Sequence, residues 1–178
     1  MADSCPGEKF REGVIAPSNH ERINEGAIRE RIISFLLQEK DYLKEEIDEE
    51  VPYELITDQE IFQLKASLVI RIKEQPLVFI KCGTGSILAR ERAALSLARL
   101  FSKYQVPLTV VTNGEDAVLL DTLSGETIEN GLNAIPNKNT LKSQMEAFKF
   151  IPLPEKRFKL EKQILAAFEG LGQHGECG

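Results

Sequence analysis

Apolar residues in this chain recur with two different periods, and the switches between them mark out helices and strands. Ile28, Ile32, Phe35 and Leu36 stand at i, i+4, i+7 and i+8, the stripe of an amphipathic helix, which Ile33 and Leu37 widen. Ser18 followed by Glu21 fits a capping box at its start, and the helix is predicted to run to about Lys40. Glu25 and Arg29, four apart, are placed to pair on its surface. After an acidic, irregular stretch from Asp41 to Glu50, a short strand is predicted over Val51–Ile56. Ser67–Lys73 (SLVIRIK) and Leu77–Cys82 (LVFIKC) read as strands joined by a turn at Glu74-Gln75-Pro76, hence a hairpin.

The loop Gly83-Thr84-Gly85-Ser86 leads into a helix predicted over Leu88–Tyr104. Its apolar face is Ala93, Ala94, Leu97, Leu100, Phe101 and Tyr104. Arg92, Ser96, Arg99 and Lys103 fall on the other side as a basic ridge at helical spacing. Val106–Thr112 reads as a buried strand reached through that crossover helix, and so parallel to the strand before it. Asn113-Gly114 signals a turn, Ala117–Asp121 another strand, and Ser124-Gly125 its end. No clear pattern emerges over residues 126–156. A last amphipathic helix is predicted from Pro154 or Glu155 to Glu169, with Leu160, Ile164, Ala167 and Phe168 inward and Gly170 as its stop. Helices alternating with a hairpin and a crossover strand close most naturally as an α/β fold, a mixed sheet with helices on its faces. The predicted organisation is a flexible arm over 1–17, a core over 18–125, an extension over 126–170 ending in the helix, and a flexible tail over 171–178.

The 178 residues are ordinary for one domain, with 42% apolar and 28% charged side chains. No apolar run is long enough to cross a membrane. The N-terminus lacks the apolar core of a signal peptide, and three cysteines, two of them near the ends, point to a reducing, cytoplasmic setting. The net charge of −6 is unevenly spread. Residues 1–60 hold 7 Lys and Arg against 16 Asp and Glu, residues 61–110 hold 8 against 2, and residues 111–178 hold 7 against 10. The basic middle segment can form a cationic stripe on one face, or simply a solvated surface. The acids from Glu45 to Glu50 lack the glycine of a calcium loop; they form either a solvated face or a docking surface for a basic partner.

Several chemistries are excluded by what is missing. There is no GxxxxGK[ST] and no GxGxxG, so no nucleotide cradle of either familiar kind. Two histidines and three cysteines are too few for an ordinary zinc cluster, and neither His20 nor His174 has a partner in a visible nucleophile pattern. Cys82, on an apolar strand, reads as a core residue.

Three groups of residues, in this order, carry a resemblance. They are Glu25 to Arg29 followed by Phe35–Tyr42 (FLLQEKDY), Pro76-Leu77-Val78 opening the second hairpin strand, and Val106-Pro107 with Thr112-Asn113-Gly114 after the crossover helix. The sequence from Glu25 to Gly125 resembles the N-terminal nuclease domain of the R subunits of type I restriction enzymes and its stand-alone relatives. That resemblance implies a restriction-endonuclease-like, PD-(D/E)xK fold. It also implies an Asp on the first hairpin strand and a Glu on the second that hold Mg²⁺, a Lys two residues beyond the Glu, and often a Gln on the next helix. Here Ser67 falls at the Asp position, Lys81 at the Glu position, Gly83 at the Lys position and Ser96 near the Gln position. A lysine in place of a carboxylate repels a cation, and no acidic residue lies between Ile80 and Ser86.

The expectation is therefore a nuclease-like domain that does not cleave, has no metal or other cofactor, and binds DNA or a partner protein through its former active-site face. Lys81, Arg92, Arg99 and Lys103 are the candidate phosphate contacts. The alternatives are a Mg²⁺-dependent endonuclease whose ligands have moved to Glu25 and Glu91, and a scaffold docking through Glu45–Glu50. No helicase segment is visible, so translocation is not expected of this chain.

Overall fold

The computed structural model describes residues 19–170, and the side chains of residues 24–168. The capping box at Ser18 and Glu21, the arm over 1–17 and the tail over 171–178 lie outside the residues so described.

Six strands form one sheet in the order β1 to β6: β1 Ile47–Ile56, β2 Ile61–Ile72, β3 Gln75–Cys82, β4 Leu108–Thr112, β5 Ala117–Asp121 and β6 Thr127–Asn130. Every neighbouring pair is antiparallel except β3 and β4, which are parallel. The parallel pair is joined by α2 (Leu88–Leu100), because a parallel connection needs a crossover. The other helices are α1 (Asn19–Glu39), α3 (Lys138–Gln144) and α4 (Glu155–Gly170). The result is a mixed α/β sheet flanked by helices.

Alternation along the strands sorts the core into two layers. Leu68, Ile70, Val78, Ile80 and Cys82 join Ile32, Ile33 and Leu36 of α1. Val69, Phe79, Val111, Val118 and Leu120 join Ala94, Leu95, Leu97 and Ala98 of α2, with Leu165 of α4. Along α1 the predicted stripe is buried at Ile32, Ile33 and Leu36, whereas Leu37 is exposed.

Several boundaries differ from the sequence expectation. β1 starts at Ile47 rather than Val51, because its acidic residues have cationic partners: Asp48 pairs with Arg71, and Glu49 with Lys44 and Arg29. β2 starts at Ile61, where Phe62, Leu64 and Ala66 are buried and alternate with exposed Gln63 and Lys65. The hairpin turn is Lys73-Glu74, both at positive φ (50° and 66°), and β3 begins at Gln75. α2 ends at Leu100, not Tyr104, because the Val106 amide returns to the Ala98 carbonyl (3.2 Å) and buries Val106 beside it. The unpatterned stretch after Gly125 supplies the exposed edge strand β6 and the short helix α3, whose Asn137 side chain caps the Thr140 amide at 2.8 Å.

At Thr112-Asn113-Gly114 the turn is locked by local bonds. Thr112 Oγ1 accepts from the Gly114 amide (3.0 Å) and donates to the Asp116 carbonyl (2.7 Å). Gly114 sits at φ 89° with the Ile28 side chain 3.4 Å from where a Cβ would be, so glycine lets α1 approach this turn closely.

Candidate functional site

A cleft of about 660 Å³ opens where the first half of β2 meets the end of β3, walled by α1, α2 and α4. The β2–β3 register pairs Leu68 with Ile80, which places Ser67 and Lys81 side by side at the end of that ladder. The Cys82 amide donates to Ser67 Oγ (3.0 Å), and Ser67 Oγ donates to Glu25 Oε1 (3.3 Å). Lys81 Nζ stands 3.9 Å from the same carboxylate oxygen. Three positions that were far apart in the sequence, Glu25, Ser67 and Lys81, thus meet in one cleft.

The β1–β2 ladder skips a step at this point. It pairs Glu49 with Leu68 and then Val51 with Ala66, leaving Glu50 and Ser67 out, and Glu50 has φ 47°. The register is the same on both sides of this step, so it is a local break in the ladder at Glu50 and Ser67 with no inserted residue. Glu50 is turned to Arg29 and Lys65, each 3.5 Å away. Arg29 does not pair with Glu25 as its spacing suggested, because both residues have partners on the sheet.

The cleft's charged lining is Glu25, Glu50, Arg29, Lys65, Lys81 and Arg90: two acids against four bases. Arg29 Nε is buried and has no hydrogen-bond partner among the described residues. The donor set facing Ser67, one carboxylate, one hydroxyl and one ammonium, does not fit Mg²⁺, which is held through oxygen ligands, commonly carboxylates. Among the described residues no group of three or more His, Cys, Asp or Glu is arranged so that it could hold a metal ion. Glu91 is not among the cleft-lining residues, so the structure does not bring it to Glu25.

The basic ridge on α2 is a correction. Ser96 and Arg99 are buried, at 0% and 2% exposure, because α4 packs on that stripe. Glu161 of α4, itself fully buried, accepts from Ser96 Oγ (2.6 Å), Arg99 Nη1 (2.6 Å) and Arg157 Nε (2.9 Å). Arg99 Nε donates to the Thr122 carbonyl (2.8 Å). Burial pushes the Glu161 pKa up, but the Ser96 hydrogen bond and the Arg99 and Arg157 interactions outweigh it, and the carboxyl titrates below its ordinary range. Arg99 is therefore unavailable to a phosphate. Arg92 and Lys103 are exposed but do not line the cleft, and Lys103 Nζ lies over the Tyr104 ring at 5.5 Å. Of the four candidate contacts, Lys81 alone lines it.

Arg29, Lys65, Arg90 and Phe168 line the cleft without having been marked as site residues by the sequence. Arg90 folds back from α2, with Nη1 donating to the Gly83 carbonyl at 2.9 Å. Phe168 of α4 also lines the cleft and is 46% exposed, although its helical spacing predicted an inward position. No local pattern marks either one. Cys82 is as expected: buried in the core, its thiol pushed up to about 12 by desolvation and then by Glu25. The acidic run is largely occupied, since Glu46 pairs with Lys138 (2.7 Å), Asp48 with Arg71, and Glu49 and Glu50 with the cations named above. No helix among the described residues is long and apolar enough to cross a membrane.

The mixed sheet, its helical flanks and a cleft beside the central hairpin define an α/β domain consistent with the restriction-endonuclease-like class. The chain belongs to the family described as type I restriction enzyme R protein N terminus (HSDR_N), whose model matches residues 24–136. Neither a curated protein nor a solved structure matches the chain. The family match stops before α3 and α4, so the helix carrying Glu161 and Phe168 lies beyond it.

Proposed function

We propose that this chain is a nuclease-fold domain that does not cleave and that holds DNA by its phosphates in the cleft between β2, β3 and α2. The observation that carries this reading is Lys81, a cation facing Glu25 at a position where the resemblance drawn from the sequence implies a metal-holding carboxylate. Arg29, Lys65 and Arg90 add positive charge around it. Cations displace the counterions condensed on a nucleic-acid backbone, and the entropy of that release drives binding. The site then needs no metal, because the fixed ammonium supplies the positive charge. The acidic overall composition limits binding to this cleft rather than spreading it over the surface. A scaffold docking through Glu45–Glu50 is disfavoured, because those acids are largely neutralised by neighbours of the same chain.

The test uses supercoiled plasmid with Mg²⁺ or Mn²⁺ and a gel shift of the same DNA at stepped salt. The expected result is no cleavage, with a shift that weakens as salt rises and is lost in Lys81→Glu. Metal-dependent cleavage that disappears in Glu25→Ala overturns the silent reading in favour of a working endonuclease with relocated ligands. Neither cleavage nor shift overturns DNA binding and leaves a protein partner as the occupant.

A further inference from the structure

The cleft combines two features that the sequence keeps far apart. One is its cationic lining, from α1, β2, β3 and α2. The other is the ring of Phe168, at the far end of α4, which lines the same cleft and is 46% exposed. A large apolar ring open to solvent costs hydration unless something covers it. Phe168 is not held there by a mobile loop. Three residues earlier on the same helix, Leu165 is 1% exposed and packed into the α2-side core, and one turn before that Glu161 is bonded to Ser96 and Arg99. The ring is therefore presented from a packed helix into the cleft that Lys81 and Arg90 also line.

A cationic groove with a solvent-facing aromatic is what an unpaired nucleotide fits. The phosphate meets the cations, and the base lays its face on the ring. In a duplex each base is already stacked between its neighbours and has no face to offer. We infer that the ligand of this cleft is single-stranded DNA, with Phe168 as the platform for one unpaired base. The inference rests on the DNA-binding reading above and adds to it the kind of DNA and the residue that selects it.

The experiment is fluorescence anisotropy with a labelled oligothymidine and with a duplex of equal length, using the full chain at fixed low salt. The wild-type protein is expected to bind the single strand about tenfold tighter than the duplex. Phe168→Ala should weaken the single strand by about that factor and leave the duplex nearly unchanged. Phe158→Ala, which removes another exposed ring of α4 that does not line the cleft, should change neither. Because the chain has no tryptophan, Phe168→Trp also installs its sole tryptophan at the site, a reporter excited selectively over the three tyrosines at long wavelength. It should keep the single-strand affinity, and its emission should be quenched by the unlabelled oligonucleotide.

Salt-sensitive, Lys81-dependent binding that Phe168→Ala leaves untouched, with no quenching in Phe168→Trp, overturns this inference and leaves the DNA-binding reading standing. Equal loss of both DNA forms in Phe168→Ala also overturns it, since the ring is then a general packing element. No binding of either form by the wild-type protein overturns the underlying reading itself.

Discussion

The guanidinium of Arg90 fills the space that a side chain at position 83 would enter. A Cβ on Gly83 would lie 2.8 Å from Arg90 Nε, and Arg90 Nη1 donates to the Gly83 carbonyl at 2.9 Å. The family resemblance expects a lysine at 83. Set against that resemblance, Arg90 brings a cation from α2 to a position just past β3 that itself carries no side chain.

Arg90→Ala is therefore expected to weaken DNA binding severalfold and to lower the slope of log affinity against log salt by about one, the signature of one lost phosphate contact. Gly83→Ala should fold normally, because what its Cβ meets is the far end of a flexible side chain that can move aside. Salt titrations of binding for both variants, with thermal melts alongside, provide the check.

Glu25 shares Ser67 and Lys81 with whatever anion enters the cleft. Glu25→Gln keeps an acceptor for the Ser67 hydroxyl but removes the competing charge. It should tighten DNA binding about two- to fivefold at low salt, with the gain shrinking as salt screens it. A metal-ligand role demands the reverse, loss of Mn²⁺ binding and of any activity. Isothermal titration with Mn²⁺ and with DNA distinguishes the two.

Glu161→Ala leaves the Arg99 guanidinium buried without its carboxylate. Breaking such a pair costs about 3–5 kcal/mol, so a large drop in the denaturant midpoint is expected, while Glu161→Gln should lose less. The sign with pH follows from the depressed pKa. The ionised Glu161 stabilises the fold above the ordinary carboxylate value of 4.5, and that contribution is lost as the pH falls below it toward the lowered folded value. Urea melts between pH 7 and pH 3 should show an acid loss in the wild type that is smaller in Glu161→Gln.

Cys82 should be inert to thiol reagents in the native protein at pH 8, because burial pushes its thiol up to about 12. A variant with Cys5→Ser and Cys177→Ser, treated with an aromatic disulfide reagent, should react only when unfolded by denaturant. Fast reaction of the native protein would mean that the β3 end opens readily.

The strands legible in the sequence are those buried on both faces. SLVIRIK, LVFIKC and AVLLD are dense in β-formers, and their hairpin, crossover and turn follow from chain geometry alone. The acidic half of β1 was hidden. Its Asp48, Glu49 and Glu50 look like solvated loop until Arg71, Lys44 and Arg29 are placed beside them, and those partners come from other elements. The short pieces after Gly125 were hidden for the opposite reason. β6 is exposed throughout, so it has no alternation to read.

The candidate site divides along the same line. The sequence by itself determined that the facing hairpin positions carry Ser67 and Lys81, a hydroxyl and an ammonium, because that is a matter of residue identity at positions set by the hairpin. It also determined that no acidic residue lies between Ile80 and Ser86, at the end of the second hairpin strand. Only the tertiary structure decided which cations face the cleft. Periodicity ranks residues around one helix but does not say what packs on each side. Helical spacing puts Arg92, Ser96, Arg99 and Lys103 on a single stripe, yet α2 ends before Lys103, and α4 covers Ser96 and Arg99 and ties both to Glu161, while Arg90 turns into the cleft. Phe168 follows the same rule: its spacing marks it as inward, and the docking of α4 against α2 leaves its ring lining the cleft and 46% exposed.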